Sequence, residues 1–271
     1  MPEQPITLTV NQQVACLSLN RPAQLNSLNQ DAHAALRTAL RDIEKGVARP
    51  VDDPDRIRCL WLRAEGKAFC VGQDLNERRD TLEDGAPDLG ESLDKRYNPL
   101  IQRLVNLNCP TLCSVNGPAA GAGVGLALAA DIVVAADSAK FIFAFSRLGL
   151  GPDAGTSWFL PRLVGAARAR GLMLLGGELT ADEARDWGLI WDIVADADLE
   201  THSAELAMRL ASGPTAGLNI IRRALNGSQE VDLNTQLDRE RDLQRVAGRS
   251  HDYREGILGF FEKRPPRFKG H

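Results

Sequence analysis

Thr111-Leu112-Cys113-Ser114-Val115, then Asn116-Gly117-Pro118-Ala119-Ala120-Gly121-Ala122-Gly123-Val124-Gly125, then Ile132-Val133-Val134-Ala135-Ala136 is the stretch that sets the fold class. Two short, densely apolar runs read as buried strands. Between them a glycine-rich segment opens an apolar helix over about Gly121–Ala130. Strand, tight loop, helix and strand again make a unit of a buried, largely parallel sheet. The small residues let a backbone come close to a ligand, and the N–H groups at a helix start carry partial positive charge. The same glycines also suit tight helix packing.

Working outward, Leu148-Gly149-Leu150-Gly151-Pro152-Asp153-Ala154-Gly155 places one carboxylate in a run with no other acid. Main-chain donors aimed at an oxygen, with one acid or base nearby, suit proton transfer beside a carbonyl. Asp153 has a second reading, as a helix N-cap ahead of Ala154-Gly155-Thr156-Ser157, and strong capping would lower its pKa and weaken it as a base.

Toward the N-terminus, Ile6–Val10 alternates and Val14–Leu19 is a denser apolar run, with a turn at Asn11-Gln12. From Asp31 to Glu44, Ala32, Ala35, Leu36, Ala39, Leu40 and Ile43 share one helical face. Ile57–Leu62 reads as a strand. Residues 76–95 are charged, without a period, and read as a surface loop that either covers a pocket or is solvated filler. A helix over Leu93–Leu107 is stopped by Cys109-Pro110, and Phe141–Phe145 reads as a strand. The remainder reads as helical, with a capping box at Thr180-Ala181-Asp182-Glu183, a start at Pro214, a stop at Gly227, and helices over 232–247 and 251–262.

The chain has 271 residues, is 44% hydrophobic and carries a net charge of −4. That allows a large core and argues against a nucleic-acid surface. No run approaches the roughly 18 apolar residues that span a bilayer, and the first residues lack a signal-peptide pattern, so a cytoplasmic protein without membrane contact is expected. The five cysteines have no zinc-site spacing and read as buried thiols; no metal site is expected. The four histidines form no nucleophile motif.

Five ordered segments carry a resemblance over nearly the whole chain: Asn20-Arg21-Pro22-Ala23 with Leu25-Asn26-Ser27-Leu28; Gly66 through Leu75; Asn116 through Asp131; Gly149 to Gly155; and Trp187-Gly188-Leu189-Ile190. Together they resemble the crotonase (enoyl-CoA hydratase/isomerase) superfamily. Gly72-Gln73-Asp74-Leu75-Asn76, Ala144 through Leu150, and Pro152-Asp153 with Trp158 are most similar to its ring-epoxide isomerase branch, which turns 1,2-epoxyphenylacetyl-CoA into oxepin-CoA in phenylacetate breakdown. The resemblance implies an α/β fold: a spiral core of ββα units over residues 1–200 and a helical C-terminal trimerisation region over 201–271. It implies trimers or paired trimers, an acyl-CoA thioester substrate, and no cofactor beyond the CoA of that substrate.

By motif, the family's two oxyanion-hole amides fall on Gln73 and Ala122, and its isomerase acid/base position on Asp153. The two glutamates that hydratases use correspond to Gly125 and Phe145, which cannot handle a proton. The resemblance places CoA along Arg21, Ala23, Leu25, Lys67, Asp74 and Leu75, with Lys263 and Arg264 reaching the nucleotide. An isomerase follows, moving a 3-enoyl double bond to position 2, rearranging the ring epoxide, or both. Phe143, Phe145, Trp158 and Leu160 are candidate acyl walls as well as candidate core residues. The rivals are an enoyl-CoA hydratase, a hydrolase or dehalogenase with Asp153 as nucleophile, and a non-catalytic RNA-binding protein.

Overall fold

The computed structural model describes residues 4–83 and 88–271. Strand β1 (Ile6–Asn11) turns back through Gln12 and Gln13, both at positive φ, into β2 (Val14–Leu19), and the two pair antiparallel. Helix α1 (Gln30–Val47) follows, capped by the Asn29 side chain accepting from Ala32 N–H. It buries Ala32, Leu36, Leu40 and Ile43, the face its 3.6-residue period defines, and full burial of each leucine or isoleucine contributes roughly 2 kcal/mol. Strand β3 (Cys59–Ala64) then pairs parallel with β2.

The chain continues through α2 (Asn76–Glu83), α3 (Leu89–Ser92), one π-helical turn (Leu93–Tyr97) and α4 (Asn98–Val105). Next come β4 (Thr111–Val115), β5 (Ala119–Ala120), α5 (Ala122–Leu128), β6 (Ile132–Ala136) and β7 (Lys140–Ile142). Helices α6 (Thr156–Val164) and α7 (Ala166–Leu175), strand β8 (Glu178–Thr180), helix α8 (Ala181–Asp186) and strand β9 (Asp192–Val194) complete the strand-bearing part. Four helices end the chain: α9 (Leu199–Ser212), α10 (Thr215–Asn226), α11 (Leu233–Ala247) and α12 (His251–Glu262).

The main sheet runs β1-β2-β3-β4-β6-β9, parallel except for β1, and a small sheet runs β5-β7-β8. From β4 to β7 the chain gives one strand to the large sheet, one to the small sheet, one helix, then repeats. This is the expected α/β spiral of ββα units. One face of the main sheet carries the large core with α1, α4 and α5. The other face, with Trp61, Leu112 and Val134, is covered by α9 through Leu199, Ala207 and Ala211.

Several expectations change. The segment 76–95, read as a loop, is helical where described: the Asp88 side chain caps α3 by accepting from Glu91 N–H, and Glu77 accepts from Gln30 N–H. Local polar bonds hold these turns, so they leave no apolar period. Strand β3 lies two residues later than the apolar run, because Ile57 and Arg58 donate to Gly46 and Gln13 in the approach to the sheet. Strand β7 stops at Ile142, where Phe143 N–H turns to Gly177 O. Strands β8 and β9 interrupt the stretch read as all helix; three residues are too few to show a period of two.

Candidate active site

Two chain crossings build the site. Cys70 pairs with Ala119, and Ala120 N–H donates to Cys70 O at 2.9 Å, so segments 70–73 and 119–122 run side by side. Gly72, at φ +84°, makes the closest approach. A β-carbon there would lie 3.0 Å from Ala120 O and 3.4 Å from Ala122 N. This brings together the main-chain amides of Gln73 and Ala122, the first residue of α5. Among the described residues neither N–H has an acceptor. Two free donors on adjoining segments can bind one oxygen.

The third part is the turn before α6. Ala154 (φ +48°) and Gly155 (φ +75°) are consecutive left-handed residues immediately after Asp153. An alanine there costs of order 1–2 kcal/mol, and such strain gathers at functional sites. The turn packs on α5: a β-carbon at Gly125 would lie 2.3 Å from Ala154 O and 2.8 Å from Ala154 Cβ. Phe145 is buried beside Gly121. The first of these contacts holds the turn after Asp153 against α5, the helix that Ala122 opens.

Asp153 is not a helix cap. The residue before α6 is Gly155; Asp153 contributes its carbonyl, which accepts Thr156 N–H at 2.9 Å. Among the described residues its buried Oδ1 has no hydrogen-bond partner. Burial raises the carboxyl pKa to about 6, against an ordinary 3.8, and a weak main-chain contact within the residue opposes this. With no cap bond to oppose burial, the carboxyl is poised near neutral pH, where a general base is effective.

Of the residues singled out in the sequence, Gln73 and Ala122 lie on adjoining segments, and the turn after Asp153 packs on Gly125 of α5, the helix that Ala122 opens. The sequence did not single out Tyr97, whose hydroxyl donates to Gln73 Oε1 at 3.0 Å. Tyr97 is buried, and the Asp153 charge acts on it electrostatically. Its one signal was an aromatic residue in a run of charged ones.

The residues expected along CoA divide. Arg21 turns inward: its guanidinium donates to Ser27 and pairs with Asp74 Oδ2 at 3.0 Å. Burial raises the Asp74 carboxyl, but hydrogen bonds from Arg21, Asn76 and Ser27 outweigh it and hold it below the ordinary range. Buried Asn26 accepts from Arg21 N–H and donates to Glu65 O and Ala68 O, tying the two loops together. Ala23 lies in the short 3-10 turn Pro22–Gln24, and Leu25 follows at φ +51°. Lys67 and Leu75 are exposed, and Lys67 has no carboxylate within ion-pair distance among the described residues. Lys263 is exposed after α12, and Arg264 is paired with Glu255 and Glu262. Among the described residues no contact joins Lys263 to Gln73, Ala122 or Asp153. Of the four candidate wall residues, Phe143 and Leu160 are fully buried core. Trp158 faces an apolar groove with its ring under Arg162 at 4.1 Å.

A mostly parallel α/β spiral with, among its described residues, two acceptor-free amides and a carboxyl oxygen without a partner has the build of an enzyme. The family description Enoyl-CoA hydratase/isomerase matches residues 9–271. A 1,2-epoxyphenylacetyl-CoA isomerase of Escherichia coli (strain K12) is 51% identical, covering 96% of this chain and 97% of its own. A 2,3-dehydroadipyl-CoA hydratase of the same organism is 36% identical over 96% of each chain. The crystal structure of an enoyl-CoA hydratase/isomerase from Cupriavidus metallidurans CH34 superposes with a TM-score of 0.88 at 33% identity, covering 100% of this chain and 98% of that one. The chain belongs to the enoyl-CoA hydratase/isomerase family.

Proposed function

We propose that this protein is an acyl-CoA isomerase in which Asp153 carries a proton across one face of an enolate held by the Gln73 and Ala122 amides. The observation that carries the reading is Asp153 itself: among the described residues, a buried carboxyl oxygen with no partner, on a turn packed against the helix that one of the two acceptor-free main-chain donors opens. The thioester oxygen lies between the amides, each contributing on the order of 3–4 kcal/mol as negative charge develops. Asp153 takes the proton from C2 of a 3-enoyl thioester and returns it to C4, leaving the double bond at position 2. With 1,2-epoxyphenylacetyl-CoA the same stabilised charge assists rearrangement to the oxepin. The 51%-identical isomerase supports that substrate.

Hydration needs a second group to hold water. The two positions that carry glutamate in hydratases are Gly125, with Ala154 packed against it, and buried Phe145. CoA runs past Ala23 and Leu25, and Lys67 meets a phosphate; Arg21 and Asp74 hold that loop rather than the nucleotide. Leu75 borders the acyl entrance. The tail residue Lys263 serves the nucleotide of a neighbouring subunit. Self-association is supported by an apolar groove of about 610 Å³ lined by Trp158, Leu163, Trp191, Ile221 and Leu225, and by exposed Phe260 and Phe261. A trimer or a dimer of trimers fits that surface. The five free thiols suit the cytoplasm.

The test is a panel of 1,2-epoxyphenylacetyl-CoA, a 3-enoyl-CoA and crotonyl-CoA, read by mass spectrometry for wild type and Asp153→Asn. Isomerised product is expected from the first two, with kcat lowered by about 10²–10⁴ in the variant. Near-wild-type turnover by Asp153→Asn rejects the reading. A covalent adduct on Asp153 favours a hydrolase instead.

A further inference from the structure

Proton transfer at Asp153 leaves three polar groups behind the site without a role: the Tyr97 hydroxyl, the Gln73 carboxamide and the His33 imidazole. They form one contiguous set. Tyr97 ends the π-helical turn Leu93–Tyr97, and such turns recur at functional sites because the wider turn redirects a side chain. Its ring meets His33 edge to face, with centroids 4.5 Å apart. His33 is itself buried, its Nε2 has no partner among the described residues, and burial together with Arg96, Arg37 and Arg78 lowers its pKa to about 4. The imidazole is neutral at physiological pH, so Tyr97 is wedged by an uncharged ring. Burial and then the charges of Cys70 and Asp153 push the phenol far above its ordinary pKa, and it remains a donor throughout the working range.

That donor has one acceptor, Gln73 Oε1. The Gln73 Nε2 end donates to Asp74 O at 3.3 Å and, more loosely, to Glu77 Oε2 at 3.4 Å. Between Gly72 and Gln73 lies the peptide whose N–H is one of the two free donors. Leu28 N–H pins its carbonyl end at 2.7 Å, and Gly72, at φ +84° and without a β-carbon, lets the peptide approach Ala120 and Ala122. Beyond it, Asp74 N–H donates to Leu28 O at 3.1 Å, so the main chain is held on either side of Gln73, and the Gln73 side chain adds the restraint on the residue that carries the free N–H.

We infer that Tyr97 is a positioning residue, whose hydroxyl clamps the Gln73 carboxamide and so fixes the orientation of the Gly72–Gln73 amide toward the substrate oxygen. The inference rests on the reading of that amide as an oxyanion donor. Preorganised donors act by being already aimed when charge develops, so loss of the clamp weakens enolate stabilisation more than ground-state binding.

The experiment uses the full chain with Tyr97→Phe, Gln73→Met, the double variant and Asp153→Asn. It reads kcat and KM on a 3-enoyl-CoA, the near-ultraviolet absorbance of bound acetoacetyl-CoA enolate, and melting temperature. Each of the first two variants should lower kcat about tenfold with KM changed less than about twofold, the enolate fraction should fall in parallel, and the double variant should be no worse than either single one. A Tyr97→Phe enzyme with kcat and enolate fraction within about twofold of wild type overturns the inference, and so does an additive double variant near a hundredfold. Where Tyr97→Phe does not fold, Gln73→Met removes the same bond from the other side, and an unchanged enolate fraction there overturns it equally. The enolate signal needs no turnover. Normal turnover by Asp153→Asn removes the base while leaving the clamp testable, and no enolate signal in wild type overturns both the oxyanion reading and the clamp.

Discussion

Asp74 and Asp153 are the same residue type, each largely withdrawn from water, and they behave in opposite ways. Asp74 receives the Arg21 guanidinium at 3.0 Å and Asn76 N–H at 3.2 Å, and its pKa is held down. Asp153 has an Oδ1 with no donor, and its pKa is raised to about 6. The loop frame of Arg21, Asn26 and Asp74 satisfies its polar groups, whereas the Asp153 turn leaves one unsatisfied on a backbone already strained at Ala154. Buried polar groups are normally paired, so an unpaired carboxyl oxygen with a raised pKa on a strained turn marks a place where the fold gives up stability for reactivity.

That contrast can be broken by stability measurements. Asp74→Ala should cost about 3 kcal/mol in urea unfolding at pH 7, because it strands the Arg21 charge in a site where its side chain is 16% exposed. The wild-type contribution of Asp74 is present above the ordinary carboxyl pKa and is lost as pH falls through its lowered folded value. A neutral outcome would make Asp74 as uncommitted as Asp153.

Asp153→Asn should shift stability the other way. Its folded pKa of about 6 exceeds the ordinary 3.8, so between those values the folded protein keeps a proton that the unfolded chain releases. Stability therefore falls as pH rises through that window, and the cost is complete above it. The variant should gain on the order of 2 kcal/mol at pH 8 and little near pH 4, measured by denaturant melts at both. A loss at pH 8 would mean that Asp153 is a structural group.

The smallest effect separates two basic side chains expected on the same ligand. Lys67→Ala should raise KM for a CoA thioester about fivefold, less in high salt, and leave kcat alone, since exposed charge pairs contribute roughly 1 kcal/mol. If Lys67→Ala leaves KM unchanged, the exposed lysine is ordinary surface.

Legibility followed burial and period. Strands Thr111–Val115 and Ile132–Ala136 are mostly apolar runs and appear with those bounds, and the Thr180–Glu183 capping box forms as its spacing requires. The helices between Asn76 and Tyr97 depend on polar bonds and a π turn, which leave no apolar stripe to read. Asp153 was legible as an acid, but its freedom from capping was not. Two left-handed residues rotate the helix start past it, and an alanine at positive φ is invisible in a propensity reading. Tyr97 was missed for a similar reason: its importance lies in Gln73, 24 residues away, and in a hydrogen bond that no local pattern encodes.

The most direct measurement is the pH dependence of kcat/KM for isomerisation of a 3-enoyl-CoA. If Asp153 is the base, activity rises with pH through an acid limb near 6, following the carboxyl as it ionises, and the residual rate of Asp153→Asn shows no such limb. A limb that persists unchanged in Asp153→Asn would contradict a proton carried by this aspartate.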